Sequence, residues 1–329
     1  MKQTTAAELL PNDPLMEAVA LPLGATFYPL GFPLEIATNS EQVLEAARES
    51  WNSFRQAFST PPIRLRVAVV ENDSTGEPPA PVYRGQGHLF VIISDAANYA
   101  VCDYTKSFAF CWLTSAALAD RGWMRFYFLD ALAYTMLAQL YVTPVHAACV
   151  SLHARGVLLC GGPGAGKSSL AFACASRGWT YISDDASSLV TGSRDRIVLG
   201  KPFQIRFRES AAGLFPELEG RPASLDRDGD LTIEVRTEDL PGLKTALQGH
   251  VDHVVFLNRH CPDPARLMPV STTDALERLL SFLPLYDPAL RERQEAPIRG
   301  LLDAGAFELQ YQSLDSAVKR LEQLVEEGG

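Results

Sequence analysis

Residues 161–168, with the sequence GGPGAGKS, constrain the fold of this chain more than any other feature. They match the pattern G-x-x-x-x-G-K-[ST], in which glycines allow successive backbone N–H groups to surround phosphate oxygens. A buried apolar run at 156–160 precedes the loop, and a helical pattern at 168–177 follows it and ends at Gly178. The pattern predicts a strand, a phosphate-binding loop and a helix, in preference to a glycine-rich turn without a ligand.

The loop is predicted to bind the triphosphate of ATP together with Mg²⁺. Lys167 is expected to contact the β- and γ-phosphates, and the hydroxyl of Ser168 is expected to bind Mg²⁺. The positive N-terminal end of the following helix adds to the attraction. The predicted nucleotide-binding residues are Gly161, Gly162, Pro163, Gly164, Ala165, Gly166, Lys167, Ser168 and Ser169.

Two adjacent carboxylates, Asp184 and Asp185, follow a short apolar strand predicted at 179–182. If this strand lies beside the strand at 156–160, both carboxylates face the crevice that holds the phosphates. One carboxylate can hold the metal while the other contacts an incoming hydroxyl. The alternative interpretation is a solvated turn at the end of the strand.

The segment 146–190, which contains His146, the loop and the Asp-Asp pair, resembles the nucleotide site of HPr kinase/phosphorylases. In that family a histidine opens the strand hairpin before the loop, and an Asp-Asp pair closes the following strand. The resemblance implies that Asp184 is the general base, that Asp185 is a metal partner, and that His146 neighbours the transferring phosphate. Taken alone, His146 is more typical of a satisfied core residue. The resemblance does not extend to residues 1–120.

The family's second signature departs from this sequence. A metal-contacting glutamate in a Leu-Glu-x-Arg-Gly setting corresponds here to residues 203–207, FQIRF, where Gln204 carries no negative charge for Mg²⁺. The departure argues against a reverse, phosphorolytic reaction and against HPr as the substrate. The resemblance then implies an ATP-dependent kinase for a serine hydroxyl of a protein or peptide. A regulatory nucleotide sensor without phosphotransfer and a small-molecule kinase are the alternatives.

The order of predicted elements indicates an α/β fold, a P-loop-containing sheet with flanking helices, preceded by a smaller α+β region. A boundary near residue 120 separates an N-terminal region, 1–120, with a role in acceptor recognition, from an ATP-binding domain, 121–329. The N-terminal region is predicted to contain a helix at 40–58, a strand at 25–30, and antiparallel strands at 63–70, 88–93, 99–102 and 108–113. A solvated loop is predicted at 72–81, and helices at 273–283 and 316–325.

Composition argues against several partners. The formal net charge of −10, without a dense Lys/Arg tract, argues against nucleic acid. The apolar segment 126–142 contains Asp130 and Gln139, so a buried helix is favoured over a membrane span. Six cysteines without a CxxC pair, and an N-terminus without a secretory signal, predict a cytoplasmic protein. A homo-oligomer is one open possibility.

Three further signals are interpreted as structural. Residues 226–230, DRDGD, are predicted to form a tight hairpin turn instead of a calcium loop, because the glycine is misplaced. His250 and His253 point to opposite faces of a predicted strand, which argues against a zinc site with His260. Arg259 follows that strand, and an ordinary surface arginine is favoured over a phosphate contact.

Overall fold

The computed structural model describes residues 19–71, 78–225, 230–283 and 288–327. The chain divides into two compact units, Met1–Leu140 and Tyr141–Gly329. This division lies later than the predicted boundary at 120/121, because the helical segment after residue 120 packs within the first unit. Arg121 forms an ion pair with Glu45 at 2.8 Å, and Arg125 forms one with Glu49 at 3.0 Å.

The first unit contains a seven-stranded sheet with the strand order β1-β2-β3-β7-β6-β5-β4. Its strands are β1 (Leu23–Phe27), β2 (Leu34–Thr38), β3 (Ile63–Val70), β4 (Val82–Gln86), β5 (Leu89–Ile93), β6 (Tyr99–Asp103) and β7 (Phe108–Thr114). The prediction of an antiparallel set is correct for β5, β6 and β7 but wrong for β3, which pairs in parallel with both β2 and β7. Helix α1 (Glu41–Trp51) forms a crossover between β2 and β3, and such a connection produces parallel strands. The predicted loop at 72–81 lies largely outside the described residues.

The apolar segment of the first unit forms a buried helical run, as predicted. It consists of α2 (Arg121–Met124), a π-helical segment (Arg125–Asp130) and α3 (Ala131–Leu140). Leu132, Met136 and Leu137 are buried. Within the described part of the chain, no helix combines the length and apolar character needed to cross a membrane.

The second unit is a mixed α/β assembly. Its nine-stranded sheet contains β8 (Val142–Leu152), β9 (Arg155–Cys160), β10 (Thr180–Ser183), β11 (Ala186–Val190), β12 (Ile197–Leu199), β16 (Lys244–Thr245), β17 (Gln248–Asn258), β18 (Arg266–Val270) and β19 (Ala306–Gln310). A small three-stranded sheet contains β13 (Gln204–Arg208), β14 (Ser224–Leu225) and β15 (Leu231–Arg236). The helices are α4 (Lys167–Ser176), α5 (Thr272–Leu280), α6 (Pro288–Leu301) and α7 (Leu314–Glu327).

Strand β9 lies inside this sheet, antiparallel to β8 and parallel to β17. Its side chains alternate between two cores, since Leu159 packs with Leu170 of α4 whereas Leu158 packs with Ile298 of α6. An apolar run without polar alternation is therefore what a strand covered on both faces requires. The glycine-rich loop leaves the carboxyl end of β9 and enters α4 directly.

Strand β10 is not the neighbour of β9, which corrects the predicted adjacency. The order β10-β8-β9 inserts β8 between them, and β8 is antiparallel to both. Two strands that are each antiparallel to the same neighbour run in one direction, so β9 and β10 still end at the same edge of the sheet. Asp184 therefore lies near the glycine-rich loop, as predicted, although β8 intervenes.

Candidate functional site

The glycine-rich loop has a backbone that other residues would disrupt. A Cβ atom at Gly161 would lie 2.7 Å from the Cβ of Ala165, and Gly166 has a φ of +95°. Gly166 is also the N-cap of α4, and its carbonyl accepts the hydrogen bond of the Leu170 N–H at 2.9 Å. The N–H groups of Lys167, Ser168 and Ser169 therefore have no acceptor within the helix, and such groups favour an anion.

Lys167 is held against the loop although it carries a charge. Its side chain is 5% exposed, and Nζ donates to the carbonyl of Gly161 at 2.8 Å and to that of Gly162 at 3.3 Å. Nζ also lies 3.0 Å from Asp185 Oδ1 and 3.0 Å from His146 Nε2. A nearly buried ammonium group needs such partners, and an anionic ligand could replace one of them.

His146 joins Lys167 to Asp185 through a neutral ring. Burial lowers the pKa of His146, the charge of Lys167 lowers it further, and the charge of Asp185 opposes the decrease. Because an ammonium group only donates, Nε2 must accept from Lys167, which assigns the ring proton to Nδ1. Nδ1 lies 3.4 Å from Asp185 Oδ1. The ring of Phe282 covers this histidine, with its centroid 5.1 Å away.

Asp184 and Asp185 have different environments although they are adjacent. Burial, together with the nearby charge of Asp185, raises the pKa of Asp184 to about 6, against the hydrogen bond from the Arg206 N–H to Oδ2 at 3.0 Å. Asp185 is half-exposed and forms the ion pair with Lys167. Two carboxylates in such different environments can divide the roles of proton acceptor and charge partner.

These groups share one open cavity of about 700 Å³. Of the residues predicted from the sequence, the cavity brings together His146, Pro163, Gly164, Gly166, Lys167, Ser168, Ser169, Asp184 and Asp185. Gly161 and Gly162 contribute the carbonyl groups that hold Lys167, and the Ala165 N–H donates to Gly162 O at 3.1 Å. His250 and His253, which the sequence interpretation set aside, do not line this cavity and lie next to Asp252.

The cavity wall formed by strand β13 was missed by the sequence interpretation. Strand β13 contributes Gln204, Arg206 and Arg208 to the cavity, and Lys201 lies just before it. The sequence does contain a signal for this wall, because the polar residues of β13 alternate with Ile205 and Phe207, which are buried. Arg259, interpreted as a surface residue, also lines the cavity, with Cδ 3.8 Å from the position of a Cβ at Gly166.

The donor atoms fit Mg²⁺ bound together with a nucleotide better than a metal held by protein alone. Among the residues that the structure describes, no group of three or more His, Cys, Asp or Glu side chains could hold a metal ion. Mg²⁺ commonly uses one or two protein oxygens, waters and substrate phosphates, which Asp185 and Ser168 could satisfy. The hairpin turn predicted at 226–230 falls on residues that, apart from Asp230, lie outside the described part of the chain.

The fold and site define a mixed α/β protein with a glycine-rich loop at the carboxyl edge of its sheet. No protein-family model matches the chain, and no curated protein matches it. A solved structure, the HPr(Ser) kinase/phosphatase from Coxiella burnetii, is similar to this chain with 17% sequence identity and a TM-score of 0.29. The similarity covers 56% of this chain and 98% of that one. A TM-score this low carries no argument about function, which depends on the site itself.

Proposed function

We propose that this protein is a Mg-ATP-dependent kinase that transfers the γ-phosphate to a hydroxyl group, and that the acceptor is a serine of a protein or peptide. The observation that carries the proposal is the shared cavity, in which a carboxyl group with a pKa of about 6, Asp184, opens onto the same space as Lys167 and the glycine-rich loop. Nucleotide binding and proton abstraction can then occur in one site.

Residues 161–169 bind the phosphates of ATP in this proposal. The N–H groups at the start of α4 donate to phosphate oxygens, and Lys167 contributes a point charge. Asp185 and Ser168 hold Mg²⁺, which neutralises charge that develops during transfer. Lys167 exchanges its contact with Asp185 for one with phosphate, so that Asp185 becomes available to the metal.

Asp184 acts as the general base. Its carboxylate accepts the proton of the acceptor hydroxyl while the hydroxyl oxygen forms a bond to the γ-phosphorus. The bond between that phosphorus and the bridging oxygen breaks, and its electron pair leaves with ADP. The pKa of about 6 supports this role, since a base is most effective when its pKa lies near the working pH. His146 stays neutral and orients Lys167 and Asp185.

The proposed acceptor is a serine of a protein or peptide. The resemblance of the segment 146–190 favours a serine of a protein or peptide, and the net charge of −10 disfavours nucleic acid. A role of residues 1–120 in acceptor recognition and a cytoplasmic location stay predictions. Incubation with γ-labelled ATP and a lysate of the source cell, followed by identification of the labelled serine, tests the acceptor class.

Two variants with matched controls test the proposal. Lys167→Ala is expected to abolish ATP binding in calorimetry, whereas Lys244→Ala, at an exposed site in β16, is expected to bind normally. Asp184→Asn is expected to bind ATP but to lose about 100-fold or more in phosphate transfer. Asp239→Asn, exposed and outside the cavity, is the matched control. Normal transfer by Asp184→Asn would refute the assigned base.

Gln204 favours a second candidate, a nucleotide-binding regulatory protein that transfers nothing. Gln204 lines the cavity and contributes no charge to a metal. The same labelled-ATP experiment separates the candidates: tight binding without consumption of ATP over hours would support the sensor and contradict the kinase.

A further inference from the structure

Arg208 extends from strand β13 to the glycine-rich loop. It ends strand β13, whose residues Ile205 and Phe207 are buried in the core of the second unit. The alternation of a strand directs Arg208 away from that core. Its Nη1 lies 3.6 Å, and its Cζ 3.9 Å, from the position that a Cβ atom at Gly164 would occupy. The guanidinium group therefore lies within van der Waals reach of the loop at Gly164.

Arg208 forms a weak, exposed ion pair with Asp230. Nη2 of Arg208 lies 3.3 Å from Asp230 Oδ2, and the two side chains are 56% and 57% exposed. An exposed ion pair of this kind contributes about 0 to 1 kcal/mol. A phosphate group carries more charge than a carboxylate and matches the guanidinium fork with two parallel hydrogen bonds. A phosphate bound at the loop would therefore compete successfully for Arg208.

We propose that Arg208 binds phosphate oxygens of the nucleotide held by the glycine-rich loop, exchanging its ion pair with Asp230 for that contact. The inference rests on the proposed nucleotide site but not on phosphate transfer. Arg259 lies near Gly166 of the same loop and lines the same cavity, so a second guanidinium group is within reach of the loop. Arg208 is then a specificity residue for nucleotides with a charged phosphate chain.

Binding of the non-hydrolysable analogue AMP-PNP with MgCl₂, measured by calorimetry, tests this inference without requiring transfer. Arg208→Ala is expected to weaken binding about tenfold or more, the size of a lost charge-assisted hydrogen bond. Arg208→Lys keeps the charge but lacks the fork, so its affinity should be intermediate. Asp230→Asn removes the competing carboxylate and should tighten binding about two- to fivefold.

Arg236→Ala is the matched control, because Arg236 lies on β15 of the same small sheet, forms an exposed ion pair with Glu238 and does not line the cavity. Its affinity should stay within about twofold of the unaltered protein. Thermal unfolding shows whether each variant is folded. If Arg208→Ala is not folded, Arg208→Lys replaces it as the test variant.

The inference is overturned if folded Arg208 variants bind AMP-PNP as the unaltered protein does, or if Arg236→Ala loses as much affinity as Arg208→Ala. If Asp230→Asn does not tighten the binding of AMP-PNP, Arg208 does not exchange its ion pair with Asp230 for a phosphate contact, and that part of the inference is overturned. These outcomes are separate from those of the proposed function. If the protein binds AMP-PNP through Arg208 but never transfers phosphate, the proposed kinase activity is refuted and this inference is supported. If the protein transfers phosphate but its Arg208 variants bind AMP-PNP normally, the kinase activity is supported and this inference is refuted.

Discussion

Replacing Asp184 by Asn should stabilise the protein at pH 8 while it removes phosphate transfer. Asp184 has a pKa of about 6, above its ordinary value of 3.8, because burial and the charge of Asp185 disfavour its ionised form. Asn has a similar size and keeps an oxygen that can accept the hydrogen bond of the Arg206 N–H. The substitution therefore removes a costly charge and leaves the local hydrogen bond in position.

The size and the pH dependence of the gain follow from the pKa. One pKa unit corresponds to about 1.36 kcal/mol, so the difference between 3.8 and about 6 sets an upper value of about 3 kcal/mol. Because Asp184 is partly exposed to solvent, screening lowers the expected gain to about 1 to 2 kcal/mol. The raised pKa means that the folded state binds the proton more tightly than the unfolded state. Stability of the unaltered protein is therefore lost as pH rises from 3.8 to 6, and the penalty is complete above pH 6.

Urea-induced unfolding followed by circular dichroism at pH 8 and pH 4.5 measures this gain. Asp184→Asn should show its full gain at pH 8 and about one third of it at pH 4.5, since the penalty is then only partly developed. Asp239→Asn, at an exposed position, should show no gain at either pH. A loss of stability at pH 8, or a gain of equal size at both pH values, would refute the electrostatic reasoning.

Three further predictions concern the same cavity. Transfer should fall about tenfold between pH 7 and pH 5, as Asp184 becomes protonated, and a flat pH profile of kcat/KM would contradict its role as base. Gly161→Ala, whose Cβ would lie 2.7 Å from that of Ala165, should weaken AMP-PNP binding about tenfold, whereas Gly213→Ala, with open space around it, should not. Gln204→Glu adds a carboxylate to the cavity, so it should lower the Mg²⁺ concentration needed for half-maximal AMP-PNP binding. If that Mg²⁺ concentration does not change, Gln204 does not lie near the metal.

The parts of the fold that depend on local sequence were predictable. The buried strand, the loop and the following helix were predicted at 156–160, 161–168 and 168–177, and β9 and α4 lie within a residue of those bounds. Neighbouring residues determine these features: apolar residues for burial on both faces, glycines for the backbone of the loop, and Gly178 after the helix.

The order of the strands was not predictable in the same way. Nothing in the sequence near Asp184 shows that β8 separates β10 from β9, because the pairing joins segments about thirty residues apart. The parallel pairing of β3 with β7 has the same origin. The carboxylates still reach the predicted crevice because β9 and β10 are both antiparallel to β8 and therefore run in the same direction. Their carboxyl ends lie at one edge of the sheet although the two strands are not neighbours.

The wall formed by β13 shows a different limit. Its alternation of polar and apolar residues was readable, but alternation indicates only that Arg206 and Arg208 share a face. Whether that face meets solvent or a cavity depends on how the small sheet packs against α4, where Phe207 contacts Phe172 with ring centroids 5.4 Å apart. Tertiary packing, which the sequence pattern does not encode locally, brings Arg208 to the loop.

The charges of the cavity are paired in a way that favours simultaneous binding of nucleotide and metal. Lys167 is held by Asp185, and Arg208 by Asp230, so both cations already have a carboxylate partner. If phosphate takes over both cations, each exchange leaves a carboxylate that has lost its cation, and Asp185 then lies beside the phosphate as a repulsive charge. A divalent cation between them turns this repulsion into attraction. In the proposed kinase, nucleotide and Mg²⁺ must therefore strengthen each other's binding by the same factor.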